Sequence, residues 1–244
     1  MTTVLKLGGS VITEKDRPET LDGETLAALA AAVAAADVDD LVIVHGGGSF
    51  GHHHAAEHGV STTEGIHDVR GVMDVHGAMT TLNRFVLSRL HAEDVPAVPV
   101  HPFSTAKRDA DGELTLMTEQ VATMVDEGFV PVLHGDGVVH AGEGVTVLSG
   151  DELVTELATA LDADRVGLCS TVPGVLDDDD AVIPHIDDFD AVADVLGVSD
   201  ATDVTGGMAA KVRELLALGS PAYVFGPEAV AGFLAGDDVG TRIG

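Results

Sequence analysis

Positive charge is scarce in this chain. Its 244 residues carry 12 lysines and arginines, only four of them lysine, against 41 aspartates and glutamates, a formal charge of −29. Such a surface repels nucleic acid and anionic membranes, so partners of both kinds are excluded. In dilute buffer its self-repulsion also works against compactness. A Debye length of about 3 Å in 1 M salt would remove that repulsion, and the composition therefore fits a salt-rich cytoplasm. Cysteine is nearly absent as well. Cys169 is the single one, so no intrachain disulfide can form, and its place in the apolar run Val166-Gly167-Leu168-Cys169 reads as a buried, unreactive thiol. Long hydrophobic runs are missing too. The alanine-rich stretch Leu26 to Ala36 falls well short of the ~20 residues that span a bilayer, and the N-terminus reads as a strand rather than a signal peptide. The expectation is a soluble, cytoplasmic protein.

A core is nevertheless available, because 45% of the residues are hydrophobic and apolar runs recur along the whole length. Runs rich in valine, leucine and isoleucine at 3–7, 41–44, 129–133, 165–169 and 222–225 read as buried strands. Helical segments are expected at 22–36, 70–91, 117–127, 151–161 and 207–218. Strands and helices in alternation predict an α/β fold, a three-layer sandwich with a mostly parallel central sheet. Its ligands should bind outside the carboxyl ends of the strands. The expected loops there are Gly8-Gly9-Ser10, His45 to His52 and His134-Gly135-Asp136-Gly137. Ser149 and Glu152 have the spacing of a capping box. Residues 104–116 read as an exposed hairpin and Asp177 to Asp180 as a solvated loop.

The few lysines are not scattered. Lys6, Lys15 and Lys211 lie in or beside the glycine-rich segments Leu5 to Ser10 and Gly206 to Lys211. Ammonium groups kept beside bare backbone amides suit a multiply charged anion, most plausibly phosphate. Gly46-Gly47-Gly48-Ser49-Phe50-Gly51 formally fits the GxGxxG pattern, but the acidic residue of a dinucleotide fold, about 20 residues on, has no candidate where the chain reads as helix. The Walker spacing is absent also. What transfers is the exposed amide, since glycine lets the backbone reach phosphate oxygens. His52 follows this turn and could donate to an anion. With His53 and His54 it forms a tract, but adjacent side chains do not converge on one ion, and no cysteine or carboxylate cluster is expected beside them, so no metal site is anticipated.

Together, VLKLGGSVITEK from Val4, VHGGGSFGH from Val44, LSGD from Leu148 and DVTGGMAAK from Asp203 resemble the amino acid kinase superfamily, specifically its isopentenyl phosphate kinase family of haloarchaeal type. The resemblance implies one domain over 1–244, with an acceptor lobe over about 1–148 and a nucleotide lobe over about 149–244, assembled as a homodimer. It implies ATP and Mg²⁺ as cofactors and transfer of phosphate to isopentenyl phosphate in isoprenoid synthesis. Carried onto this sequence, Lys6 contacts the transferring phosphoryl group and Gly8, Gly9 and Ser10 give amides to the ATP phosphates. Lys15 stabilises the transition state, Gly47, Gly48 and Gly51 hold phosphates through the backbone, and His52 binds the acceptor phosphate with Gly150 beside it. Asp151 orients the lysines, while Gly207 and Lys211 hold ATP. Where many relatives carry Thr-Asp-Val-Asp-Gly, this chain has Ser170-Thr171-Val172-Pro173-Gly174, without either aspartate.

The chemistry is consistent with that implication. An acceptor that is already a phosphate monoester, with a second pKa of about 6, needs no general base, and the loops offer no isolated carboxylate to act as one. Its hydrocarbon end needs an apolar wall. Val72, Val75, Met79 and Leu82 form a helical stripe, with Met73, His76 or Met79 as candidates for that wall. Two other readings stand beside this one: a kinase of another small phosphate or phosphonate, as in fosfomycin-inactivating kinases, and a non-catalytic sensor or storage protein.

Overall fold

The computed structural model describes residues 1–196 and 207–244. Asp203 to Gly206, the first half of the last motif, therefore lie outside the described residues. The strands are β1 (Thr2–Leu7), β2 (Asp40–His45), β3 (Ala97–Pro99), β4 (Ala106–Arg108), β5 (Leu114–Leu116), β6 (Val130–His134), β7 (Asp136–His140), β8 (Gly144–Leu148), β9 (Arg165–Cys169), β10 (His185–Ile186), β11 (Ala222–Phe225) and β12 (Thr241–Ile243). The helices are α1 (Gly9–Ile12), α2 (Gly23–Ala34), α3 (Gly48–His58), α4 (Val69–Ala92), α5 (Pro102–Thr105), α6 (Thr118–Asp126), α7 (Gly150–Ala160), α8 (Ala193–Leu196), α9 (Gly207–Leu216) and α10 (Val230–Leu234).

Eight strands form one sheet in the order β10-β12-β11-β9-β1-β2-β6-β3. All pairings in it are parallel except β11 with β12. The expected strands read as unbroken apolar runs because both faces of this sheet are covered. On β1 and β2, Val4, Val42 and Val44 point into one core together with Leu153 and Leu157 of α7 and Val121 of α6. Leu5, Leu7, Leu41 and Ile43 point into the other, with Leu26 and Leu29 of α2, Leu82 and Val86 of α4, and Phe233 of α10. This is a three-layer α/β sandwich. The buried stripe of α4 runs Val75, Ala78, Met79, Leu82, Val86 and Leu90; Val72 is only half-buried and Met73 is exposed. Among the described residues no helix is long and apolar enough to cross a membrane.

A second, four-stranded sheet in the order β5-β4-β7-β8 departs from the sequence reading. The segment read as an exposed hairpin does pair β4 with β5 antiparallel, but β4 also joins β7 and Arg108 is buried. Arg108 forks onto both carboxylate oxygens of Glu152 at 2.7 Å. That changes the expected capping box as well: Ser149 Oγ accepts from the Glu152 amide at 3.1 Å, yet the Glu152 side chain is spent on Arg108. An arginine fork outcompetes a single backbone amide for a carboxylate.

Candidate active site

The carboxyl ends of β1, β2, β6 and β9 open onto one cleft of about 990 Å³. Ladder hydrogen bonds continue just past the strand ends, from Gly8 N to Cys169 O (2.9 Å), from Gly46 N to Leu7 O (3.0 Å) and from Gly135 N to His45 O (3.1 Å). They place the first residue of each turn in register. Of the residues expected at the phosphate site, all line this cleft except Gly207, which stands at the start of α9.

The glycines here answer to packing as well as to any ligand. A Cβ on Gly9 would fall on the Gly48 backbone, and one on Gly48 would strike Thr13 Oγ1 and Gly9 O. Gly48 also has φ +49°, a conformation that costs a side-chain-bearing residue about 1 kcal/mol or more. The turns after β1 and β2 thus touch backbone to backbone, which leaves their remaining surface open to the cleft. Gly48, Ser49, Gly51 and His52 are not loop residues, as the sequence suggested, but the first turns of α3. The N-termini of α3 and α7 both face the cleft, since Gly47 and Ser149 are their caps. Each brings the positive end of a helix dipole.

Lys6, one residue from the end of β1, is buried, and its Nζ lies 2.6 Å from Asp151 Oδ1 in the first turn of α7. Lys211, from the middle of α9, approaches Asp151 Oδ2 at 3.7 Å. Burial by itself would raise the Asp151 carboxyl, but the two lysines outweigh it and hold it below the ordinary carboxylate range. A Cβ on Gly150 would sit 3.3 Å from Lys6 Cε and crowd the lysine. Lys15 is exposed on the loop between Thr13 and Leu21 at the cleft's edge. That loop is docked on α3, with Glu19 N donating to Ser49 O (3.2 Å) and Ser49 N donating to Thr13 Oγ1 (3.0 Å).

Val60, Val75, Met79 and Val147 line the apolar part of the cleft. Of the three residues suggested for its wall, Met79 is placed there; Met73 points to solvent and His76 is drawn off to Asp136 at 2.9 Å. The predicted loop at 134–137 is only Gly135, because β6 ends at His134 and β7 begins at Asp136. Asp136 lines the cleft, whereas His45 and His134 are fully buried beneath it.

These two histidines belong to a buried polar row that sequence reading missed. His45 Nδ1–H donates to Gly46 O (3.1 Å) and its Nε2 lies 3.2 Å from Asn83 Oδ1, while Asn83 Nδ2 lacks a partner. Turning the Asn83 amide over lets its Nδ2–H donate to His45 Nε2. His134 Nδ1–H likewise donates to Gly135 O, and its Nε2 accepts from His101 Nδ1–H at 3.0 Å. Burial lowers His45 to about 4. Burial, reinforced by nearby His45, takes His134 well below its usual value. Burial also raises Cys169 to about 12, which keeps it the inert thiol expected.

Two lysines sharing one carboxylate, set against turns of bare amides and two helix N-termini, suit a ligand that carries several negative oxygens at once. At the carboxyl ends of a parallel α/β sheet this is the equipment of a phosphotransferase. Residues 1–220 match the amino acid kinase family. The chain is 63% identical to the isopentenyl phosphate kinase of Haloferax volcanii over 98% of its own length and 97% of that protein's. It is 35% identical to the isopentenyl phosphate kinase of Methanothermobacter thermautotrophicus over 88% and 86%. A solved isopentenyl phosphate kinase structure superposes with a TM-score of 0.85 at 30% identity, covering 100% of both chains. The chain belongs to the amino acid kinase family and, within it, to the isopentenyl phosphate kinases.

Proposed function

We propose that this protein transfers the γ-phosphoryl group of ATP to isopentenyl phosphate, giving isopentenyl diphosphate and ADP. An acceptor phosphate oxygen attacks the γ-phosphorus and the bond to the β-bridging oxygen breaks. No proton has to leave the nucleophile, so no general base is required. The observation that carries this reading is the convergence of Lys6, Lys15, Lys211 and His52 on one cleft in which the two inner carboxylates, Asp151 and Asp136, are already engaged, by lysine and by His76, and only Asp16 adds another, at the exposed edge. What the reaction must overcome is repulsion between two phosphates, and cations meet that need.

In this reading Lys6 and Lys211, aligned by Asp151, hold the β- and γ-phosphates, with the amides of Gly8, Gly9, Ser10 and Gly48 around them. Gly207 contributes at the start of α9. His52, Gly47, Gly51 and Gly150 hold the acceptor phosphate, and Lys15 follows the charge that moves between the two. Residues up to about 148 would form the acceptor lobe and those from about 149 the nucleotide lobe. Because Asp151 and Asp136 are engaged, Mg²⁺ fits as part of the nucleotide substrate, ligated by phosphate oxygens, where it offsets phosphate charge. Val60, Val75, Met79 and Val147 favour a branched hydrocarbon over a small polar phosphonate on the same phosphate site. The acidic surface fits a salt-rich cytoplasm, and the assembly is proposed as a homodimer. In molar KCl with ATP and Mg²⁺, a panel of phosphomonoesters and phosphonates should release ADP fastest with isopentenyl phosphate. Equal or faster turnover of fosfomycin would move the assignment to the phosphonate.

A further inference from the structure

The tract His52-His53-His54 does not converge on one point, but a set that begins at its last member does. His54, Glu57 and His58 stand at i, i+3 and i+4 of α3, the spacing that puts three side chains on one helix face. One ring nitrogen from each histidine and one Glu57 oxygen all lie within 4.8 Å of one another. None of the three lines the phosphate cleft. We propose that His54, Glu57 and His58 form a binding site for a borderline divalent cation of the Zn²⁺ class, on the outer face of α3.

Two features support a metal over a merely solvated face. Each histidine is already oriented by a carboxylate from another element: His54 Nε2 by Glu19 of the Lys15 loop, and His58 Nε2 by Asp74 of α4 at 2.9 Å. Metal-ligating imidazoles are held in this way through their second nitrogen. The other nitrogen of His54, Nδ1, is buried without a hydrogen-bond partner and lies 3.8 Å from Glu57 Oε2. An unsatisfied buried nitrogen facing a carboxylate is costly in a solvated cluster and useful as a ligand. The ring of His58 packs on α4 where Gly71 leaves room for it; a Cβ there would come within 2.9 Å of His58 Cγ. The histidine side chains are each 18% exposed and that of Glu57 59%, so the carboxylate is free to draw in. It must do so, because bonds of about 2.0–2.2 Å are shorter than the present spacing allows.

Two imidazoles and one carboxylate suit Zn²⁺, Co²⁺ or Ni²⁺, whereas Mg²⁺ takes oxygen ligands. A water would complete the coordination. Through Glu19, a bound ion would brace the loop that carries Lys15 against the helix that carries His52.

Equilibrium dialysis of the full chain against Zn²⁺ in molar KCl, without nucleotide or phosphate, should find one ion per chain. Co²⁺ in its place should give the intense visible bands of tetrahedral coordination, bleached by Zn²⁺. The His54→Gln/His58→Gln pair should lose the stoichiometric ion, Asp74→Asn should weaken binding about 10- to 100-fold, and His185→Gln, a distant exposed histidine, should change nothing. Circular dichroism establishes that each variant is folded; if the double variant is not, Glu57→Gln at an exposed position gives the same reading. Absence of stoichiometric binding to the wild-type chain, or binding undiminished in the folded double variant or in Glu57→Gln, overturns the site.

Discussion

Lys15 and His45 mark two opposite uses of a charged or chargeable side chain. Lys15 is exposed at the cleft's edge, where a group that engages only as the phosphoryl moves would lower kcat and kcat/KM together. Lys15→Ala should reduce kcat by about 10²-fold, the scale of one lost electrostatic donor, with the melting temperature in molar salt unchanged. Steady-state kinetics with a thermal melt on the same sample checks both halves. His45 is held neutral, its pKa lowered to about 4 by burial. Its folded value lies below its unfolded one, so the unfolded chain binds more protons between the two. Stability is therefore complete above about 6.5 and falls as pH drops toward 4, by roughly 3 kcal/mol for this group, and His134 acts in the same direction. Denaturant midpoints measured from pH 7 to pH 4 should show this slope, and His45→Gln should reduce it, leaving the part due to His134.

At the scale of elements, the first turn of α3 decides how the cleft is built. Gly48→Ala adds a Cβ where φ is +49° and where Thr13 Oγ1 and the Gly9 backbone already fill the space. It should cost on the order of 2–3 kcal/mol, combining αL strain with overpacking. Chemical denaturation should reveal a lowered midpoint with an unchanged slope. The periodicity of residues 70–91 was enough to locate α4, which runs Val69–Ala92, and the apolar runs located β1, β2, β6, β9 and β11 to within a residue or so. Short elements carried no such signal. Strands of three residues such as β3 and β4 exist because neighbouring chain pairs with them, and pairing is not local information.

Over the whole molecule the −29 charge is the dominant long-range term. Repulsion among like charges spread over a surface is screened once the Debye length falls to about 3 Å at 1 M salt. The melting temperature should therefore climb steeply from dilute buffer to molar KCl, and activity lost at low salt should follow unfolding rather than precede it. A flat melting profile across that range would show that the core alone sustains the fold.

Composition and local pattern were enough to determine the layered α/β architecture, the turns that carry glycine and the three lysines beside them, because these follow from burial on two faces and from residue chemistry at fixed spacing. Tertiary structure alone decided the rest. Arg108 leaves an apparent surface hairpin to take Glu152, and His45 and His134 sink beneath the cleft instead of lining it. Glu19 and Asp74 reach His54 and His58 from two other elements. Each of these depends on which strand ends become neighbours in the sheet and which helices close over them. A polar side chain's partner and its burial are set by that global packing, and no window of local sequence contains it.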